Sequence, residues 1–142
     1  MDRTRFELSH SVQRYKRSIL TFVIALVFVT ILSGCRAETQ TPQHQIIPDG
    51  DAARGQRAFV DYGCHSCHVI PGIRQARGLV GPPLTDWGDR GFIAGQFDNN
   101  AENLVSWIMA PQALIPGSAM PDMGVTWQDA KDMSAYLYSL RR

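Results

Sequence analysis

The pattern of apolar and polar residues divides the chain into three parts. An apolar run from Ile19 to Leu32 is interrupted only by Thr21 and Thr30. A polar stretch rich in Gln, Thr and Pro follows over residues 36–48, and a mixed segment then occupies residues 49–142. The polar stretch lacks the periodicity of a folded element and is typical of a flexible tether, which would reach about 40 Å if extended.

Three helices are predicted within residues 49–142, because apolar residues recur there at helical spacing in three places. The predicted N-cap residues are Asp51, Asn99 and Thr126, and the helices are expected to end near Tyr62, before Pro111 and near Leu140. Between the first two helices, residues 69–95 are irregular and rich in Gly and Pro. A loop of this length is unusual in a small domain, and we expect it to wrap a large rigid ligand.

Composition and charge favour one small domain with accessory segments. The chain has 142 residues, with 14 basic and 13 acidic side chains. Residues 1–34 hold five of the basic and two of the acidic side chains, so the remainder carries a formal charge of −2. This balance does not favour binding to nucleic acid.

The beginning of the chain has the pattern of an export signal. Arg14, Lys16 and Arg17 precede the apolar run, and Ser33 and Gly34 follow it. A positive segment, 7–15 apolar residues and a small-residue exit are typical of a secretory signal. The run of 14 residues is shorter than the roughly 20 needed to span a bilayer. An uncleaved anchor stretching over residues 18–34 remains the alternative.

The end of this segment, Leu32-Ser33-Gly34-Cys35, resembles the lipobox of bacterial lipoproteins. The resemblance implies that residues 1–34 are a signal peptide and that Cys35 becomes the lipidated N-terminus. Residues 35–48 would then tether a domain of residues 49–142 to the periplasmic side of a bacterial membrane. An unmodified Cys35 thiol is the alternative.

The candidate chemistry lies in Cys64-His65-Ser66-Cys67-His68, which has the C-x-x-C-H spacing of c-type haem attachment. Two thiols three residues apart can each form a thioether with one porphyrin, and the histidine that follows can bind the iron. A zinc site is an alternative, but it normally needs four protein ligands and would require His65 or His44. A thioredoxin-type thiol pair is another, but the βαβ pattern that accompanies it is not predicted here.

A haem iron bound by a histidine has a sixth position, for which four methionines follow the C-x-x-C-H motif. They are Met109, Met120, Met123 and Met133. Met109 and Met133 fall on predicted helices, where methionine usually fills a core. Met120 lies in a loop between Pro116 and Pro121 and is the predicted ligand, with Met123 as its rival. A thioether opposite an imidazole raises the haem potential and fills the coordination shell.

Residues 49–142 resemble a class I, monohaem cytochrome c. The motifs that carry the resemblance are Cys64-x-x-Cys67-His68, Gly81-Pro82-Pro83-Leu84 and Pro116-Gly117-x-x-Met120-Pro121. The resemblance implies an all-α fold in which three main helices and long loops surround one covalently attached haem c. Cys64 and Cys67 would be its thioether attachments, His68 and Met120 its axial ligands, and the Pro82 carbonyl the acceptor of a hydrogen bond from His68.

The resemblance further implies contact between the first and last helices, with Gly55 and Phe59 meeting Met133 and Tyr136. Pro83 and residues 85–98 have no clear counterpart in the family, so the groups that hold the haem propionates stay open. The candidates are Trp87, Arg90 and Trp107.

The function that these features predict is electron transfer by a membrane-tethered cytochrome, which exchanges electrons with redox proteins of a respiratory chain. No catalytic residue and no small-molecule substrate are expected, because the redox chemistry belongs to the cofactor. One alternative is the subunit through which electrons enter a larger oxidase or dehydrogenase. The other is a haem ligand sensor or peroxidase in which Met120 leaves the iron.

Overall fold

The computed structural model describes residues 20–24 and 41–142. The chain divides into two compact units, residues 1–39 and 40–142, and the described part of the first unit is helical. Within the described ranges, no helix has the length and apolar character needed to cross a membrane. Most of the predicted signal, the lipobox with Cys35 and much of the tether lie outside these residues.

The second unit consists of helices joined by long loops. Its α-helices are α1 (Ala52–Asp61), α2 (Ala101–Met109), the short α3 (Pro111–Leu114) and α4 (Trp127–Ser139). Single 3-10 turns occur at Gln43–Gln45, Cys64–Ser66 and Trp87–Asp89, and a hairpin is formed by β1 (Phe92–Ile93) and β2 (Phe97–Asp98). The predicted helical fold with three main helices is therefore confirmed, with α3 and a small hairpin added to it.

Two of the three predicted helix starts are present. The Asp51 carboxylate accepts a hydrogen bond from the Arg54 amide at the start of α1, and the Thr126 hydroxyl accepts one from the Asp129 amide at the start of α4. These bonds satisfy backbone donors that have no partner within the helix.

The predicted start of α2 is wrong by one residue, because Asn100 is the N-cap and accepts from the Asn103 amide. The side chain of Asn99 is buried instead, and it donates to the carbonyls of Trp87 and Arg90 at 3.0 and 2.9 Å. Asn99 thus joins the start of α2 to the loop before it.

Helices α1 and α4 pack against each other at very close range, as the resemblance implied. A Cβ atom on Gly55 would lie 2.0 Å from the carbonyl oxygen of Asp132, so only glycine allows this approach. One turn further on, the rings of Phe59 and Tyr136 meet with their centroids 5.9 Å apart. Met133 is buried in the same core.

The hairpin over residues 92–98 was not predicted from the sequence. Its strands are antiparallel, with Ile93 opposite Phe97, and the connection passes through Ala94 and Gly95 with φ of 50° and 71°. Ile93 is fully buried, whereas Phe92 is exposed. The hairpin therefore joins part of the loop region to the core through Ile93, with Phe97 packed against the same core.

The sequence predicts that the domain starts at residue 49, but packed structure begins before that residue. Gln45 is only 3% exposed. Its amide nitrogen donates to the carbonyl of Asn99, and its amide oxygen accepts from Arg141. Arg141 also donates to the carbonyl of Gly88, so the segment before α1 and the end of the chain are held at one place.

Candidate haem site

A cavity of about 610 Å³ with a largely apolar wall lies among α1, the long loops and α4. Its volume is within the roughly 300–1,000 Å³ that is typical of cofactor and ligand pockets. The wall includes all five residues predicted to bind the cofactor, which are Cys64, Cys67, His68, Pro82 and Met120. The structure therefore brings together residues that are up to 56 positions apart in the sequence.

The two cysteines are presented by the 3-10 turn that follows α1. Gly63 precedes this turn with a φ of 73°, a left-handed conformation that glycine adopts without steric cost. The amides of Cys67 and His68 both donate to the carbonyl of Cys64, at 3.2 and 3.1 Å. Both thiols are free of disulfide bonds, and burial raises the pKa of Cys64 above the usual thiol value.

The imidazole of His68 is oriented by the loop that faces it. Its Nδ1 donates to the carbonyl oxygen of Pro82 at 2.7 Å, the hydrogen bond that the resemblance implied. This bond fixes the tautomer, so that Nε2 is the nitrogen left to bind a metal. A Cβ atom on Gly81 would lie 2.2 Å from Cε1 of the ring, so glycine is needed where the loop passes the imidazole.

Arg90 holds the same loop through hydrogen bonds to its backbone. Its guanidinium donates to the carbonyls of Pro83 and Thr85, and it lies over the ring of Trp87 at 4.9 Å from the centroid. The second proline of the loop, for which the sequence offered no role, thus supplies an acceptor for Arg90. Arg90 and Trp87 also line the cavity.

One buried polar atom, on a residue that lines the cavity, tests whether these residues fit a haem. The indole Nε1 of Trp87 is buried and has no hydrogen-bond partner among the described residues. A buried donor without an acceptor is costly, and a haem propionate is an acceptor of the required kind. Trp107, the third candidate for the propionates, is buried and lines the cavity as well. The residues present therefore fit a haem.

Met120 and Met123 both line the cavity, so position alone does not separate them. Met123 is 42% exposed, whereas Met120 is more buried and packs against the core. The backbone of Met120 is held on both sides, because its amide donates to the Ser118 hydroxyl at 3.2 Å and its carbonyl accepts from Gln112 at 2.6 Å. Fixed backbone geometry favours Met120 as the side chain that is held for binding.

Gln112 is a residue of the site that sequence reasoning missed. It belongs to α3, which was not predicted. Pro111 follows the end of α2, as the sequence indicated, but it also occupies the first turn of α3, a position that suits proline. No sequence signal marks Gln112, since its contacts depend on how the chain folds back after α3.

The alternatives to a haem have less support from the geometry. Among residues 20–24 and 41–142, no three His, Cys, Asp or Glu side chains come together as a metal site of the kind that zinc would need. The only sheet in this part of the chain is the two-stranded hairpin, which differs from the βαβ unit of thioredoxin-type proteins.

Comparison with known proteins gives one family and several relatives of this chain. The sequence profile of the family described as Cytochrome c matches residues 52–141. The chain is 35% identical over 111 residues to cytochrome c oxidase subunit 2 of Alkalihalophilus pseudofirmus, covering 78% of this chain and 30% of that protein. It is 31% identical over 106 residues to cytochrome c oxidase subunit 2 of Bacillus sp. (strain PS3), covering 72% and 30%.

A third relative, cytochrome c oxidase subunit 2 of Bacillus subtilis, is 29% identical over 89 residues, which is 61% of this chain and 25% of that protein. The chain thus spans about a third or less of the length of these relatives. The match of the family profile covers the helices, the cavity and the C-x-x-C-H turn. From its sequence and its fold together, the chain belongs to the cytochrome c family.

Proposed function

We propose that this chain carries single electrons by means of one haem c, attached at Cys64 and Cys67 and bound axially by His68 and Met120. The observation that supports the proposal is the apolar cavity, whose wall unites these four side chains with the hydrogen bond from His68 to Pro82. When bound, haem c supplies an iron that changes by one electron between the ferrous and ferric states.

Several residues of the chain would hold the haem c and line its pocket. The Pro82 carbonyl and the backbone of Gly81 keep the His68 ring in one orientation. Trp87 offers its free indole N–H to a propionate, and the largely apolar wall supplies the hydrophobic contacts that a porphyrin needs. No proton transfer by a side chain is needed, and a fixed ligand set keeps the structural change on electron transfer small.

We further propose that the domain works outside the cytoplasm on a membrane. The supporting features are the apolar run of residues 19–32 and the lipobox-like Leu32-Ser33-Gly34-Cys35. Residues 1–34 would act as the signal, Cys35 would carry the lipid, and the domain would lie on the periplasmic side. Several acyl chains on one terminus hold a protein far more firmly than a single chain does.

The test of haem attachment is expression in a host that matures c-type cytochromes, followed by extraction with acid acetone. We expect the haem to stay with the polypeptide, because thioether bonds survive this treatment. Cys64→Ala combined with Cys67→Ala is the matched variant, and it should release whatever haem it binds. Colourless wild-type protein, or haem lost from it into the acetone, would overturn the proposal.

A second candidate is a subunit through which electrons enter an oxidase. The observation that favours it is the similarity to the three cytochrome c oxidase subunit 2 proteins. Affinity purification from detergent-solubilised membranes separates the two candidates. A stable complex with a terminal oxidase at fixed stoichiometry supports the subunit, whereas recovery of the chain alone, with rapid reduction and oxidation by added partners, supports the free carrier.

A further inference from the structure

The loop that carries Met120 folds back onto α3, and most of its contacts with that helix go to one side chain. The amide nitrogen of Gln112 donates to the carbonyl of Ser118 at 2.7 Å and to the carbonyl of Met120 at 2.6 Å. The amide oxygen of Gln112 accepts from the backbone N–H of Gly117 at 3.1 Å. Three backbone groups within four residues are therefore bound by a single amide.

A second contact from the same residue closes the far side of the loop. The backbone N–H of Gln112 donates to the Asp122 carboxylate at 3.1 Å. As the second residue of α3, Gln112 has a backbone N–H with no acceptor inside the helix, so this bond satisfies it. Gln112 thus contacts the loop on both sides of Met120.

Only a carboxamide side chain can make this set of bonds. It offers two N–H donors and one acceptor oxygen, and all three are used here. Glutamate has the same shape, but it is an acceptor when ionised and would face the two carbonyls with a negative charge. The side chain is partly buried, so unmatched carbonyls would lose hydrogen bonds that water replaces only in part.

We propose that Gln112 is a positioning residue for Met120: its side-chain amide holds residues 117–120 closed over the cavity and so determines how readily another ligand displaces the thioether. This inference rests on the proposed function, in which Met120 binds the iron. Ser118 assists through its hydroxyl, which accepts from the Met120 amide, but that contact lies within the loop and does not join it to α3. Gln112 adds hydrogen bonds to α3 to the packing of Met120 against the core.

The experiment compares ferric wild-type protein with Gln112→Glu and Gln112→Ala, using imidazole as the probe. Imidazole binds the iron only after the thioether leaves. A ferric haem bound by methionine sulfur has a weak absorption band near the red end of the spectrum, called the sulfur band here, and the disappearance of this band shows that the thioether has left. With two or three hydrogen bonds removed, we expect imidazole to bind about 10- to 100-fold more tightly to both variants. We also expect the sulfur band to disappear at a lower pH than in the wild type.

The matched control is Gln128→Ala, since Gln128 lies exposed on α4 and donates to Asp49 and Asp132, away from the loop. It removes the same kind of side chain and should leave the imidazole affinity and the sulfur band as in the wild type. If Gln112→Glu does not accumulate because of its charge, Gln112→Ala carries the test. Wild-type imidazole affinity in a folded Gln112→Ala variant would overturn the inference.

The same measurements distinguish a failure of the role of Gln112 from a failure of the proposed ligation by Met120. A wild-type protein without a sulfur band would show that Met120 is not a ligand, and the proposed ligand set would then fail first. A wild-type protein with the band, together with a Gln112→Ala variant that behaves like it, would leave the ligand set standing. In that case the loop is held by contacts other than the amide of Gln112.

Discussion

Two methionines reach the same cavity within four residues of each other, and their backbones are held differently. Met120 lies between two contacts that fix its amide and its carbonyl, whereas Met123 is the more exposed of the two. A ligand must be held in one place if the iron is to keep it in both oxidation states. The fixed residue is therefore the better candidate for the axial ligand, although both side chains are chemically suited to the role.

We expect Met120→Ala to abolish the sulfur band of the ferric protein and to lower the reduction potential, because axial ligands tune haem potentials over about 0.8 V. Absorption spectra and a redox titration measure both effects. Met123→Ala is the matched control and should change neither. If Met123→Ala removes the band while Met120→Ala keeps it, the predicted ligand is wrong.

For single residues, the sequence indicates the residues predicted to bind the haem better than it indicates the residues that position them. Cys64, Cys67 and His68 are recognisable because their spacing is local, and Met120 because prolines flank it. Gln112 and the free N–H of Trp87 carry no local signal. Their roles arise when distant segments meet, and that information is absent from any short stretch of sequence.

At the scale of elements, helices were predicted where their start signals are local. The caps of Asp51 and Thr126 are bonds between residues three apart, so the sequence contains both partners. The start of α2 was displaced to Asn99 because two asparagines adjoin, and the burial of Asn99 against the loop before it decided between them. The hairpin over 92–98 was missed because its strands are two residues long, too short to show an alternating pattern, and only Ile93 and Phe97 in them pack in or against the core.

Because α1 and α4 are in close contact, replacing a helical glycine by alanine is expected to lower stability here, whereas it usually raises it. Alanine normally stabilises a helix by about 1 kcal/mol relative to glycine. At Gly55 the added methyl group would lie 2.0 Å from the Asp132 carbonyl, so the two helices must separate. We expect Gly55→Ala to lower the free energy of unfolding by about 1–3 kcal/mol, the usual range for overpacking.

Unfolding of the haem-loaded protein in guanidinium chloride measures this effect. Gly91→Ala is the matched control, because a Cβ atom there would meet nothing within 4 Å. It should change stability by a few tenths of a kcal/mol at most. A Gly55→Ala variant as stable as the control would show that the helices separate without loss.

At the scale of the whole molecule, one buried carboxylate connects the two ends of the folded unit. Asp132 of α4 accepts from the Arg54 side chain at 2.7 and 2.8 Å and from the Asp51 amide at 2.7 Å. The hydrogen bonds from Arg54 are the main reason why the pKa of Asp132 lies below the usual carboxyl value, although burial opposes the shift. This carboxylate stabilises the fold only while it is ionised.

The sign of the pH dependence follows from that lowered pKa. The stabilisation by Asp132 is complete at a pH above the ordinary pKa of Asp, about 3.9. It is lost as the pH falls through the lower pKa that Asp132 has in the folded state. We expect Asp132→Asn to be less stable than the wild type at neutral pH and to lose less stability on acidification. Thermal unfolding between pH 7 and pH 3 measures both, with the exposed Asp61→Asn as control.

The membrane proposal is tested by the residue that the lipid would modify. We expect Cys35→Ser to move the protein from the membrane fraction to the soluble periplasmic fraction, since a serine cannot receive the thioether-linked lipid. Fractionation followed by haem staining measures the change. If the variant stays in the membrane, an uncleaved span over residues 18–34 explains the anchoring instead.

The contacts of Gln45 with Arg141 and Asn99 show that packed structure begins ahead of residue 49. If packed structure starts at Gln43, seven residues separate it from Cys35, and they span at most about 25 Å. A lipid at Cys35 would then keep this start of the packed structure within about 25 Å of the bilayer surface, so the domain would meet membrane-embedded redox proteins by lateral diffusion. The rate of these encounters would rise with the surface density of both proteins, while proteins farther from the surface would be out of reach.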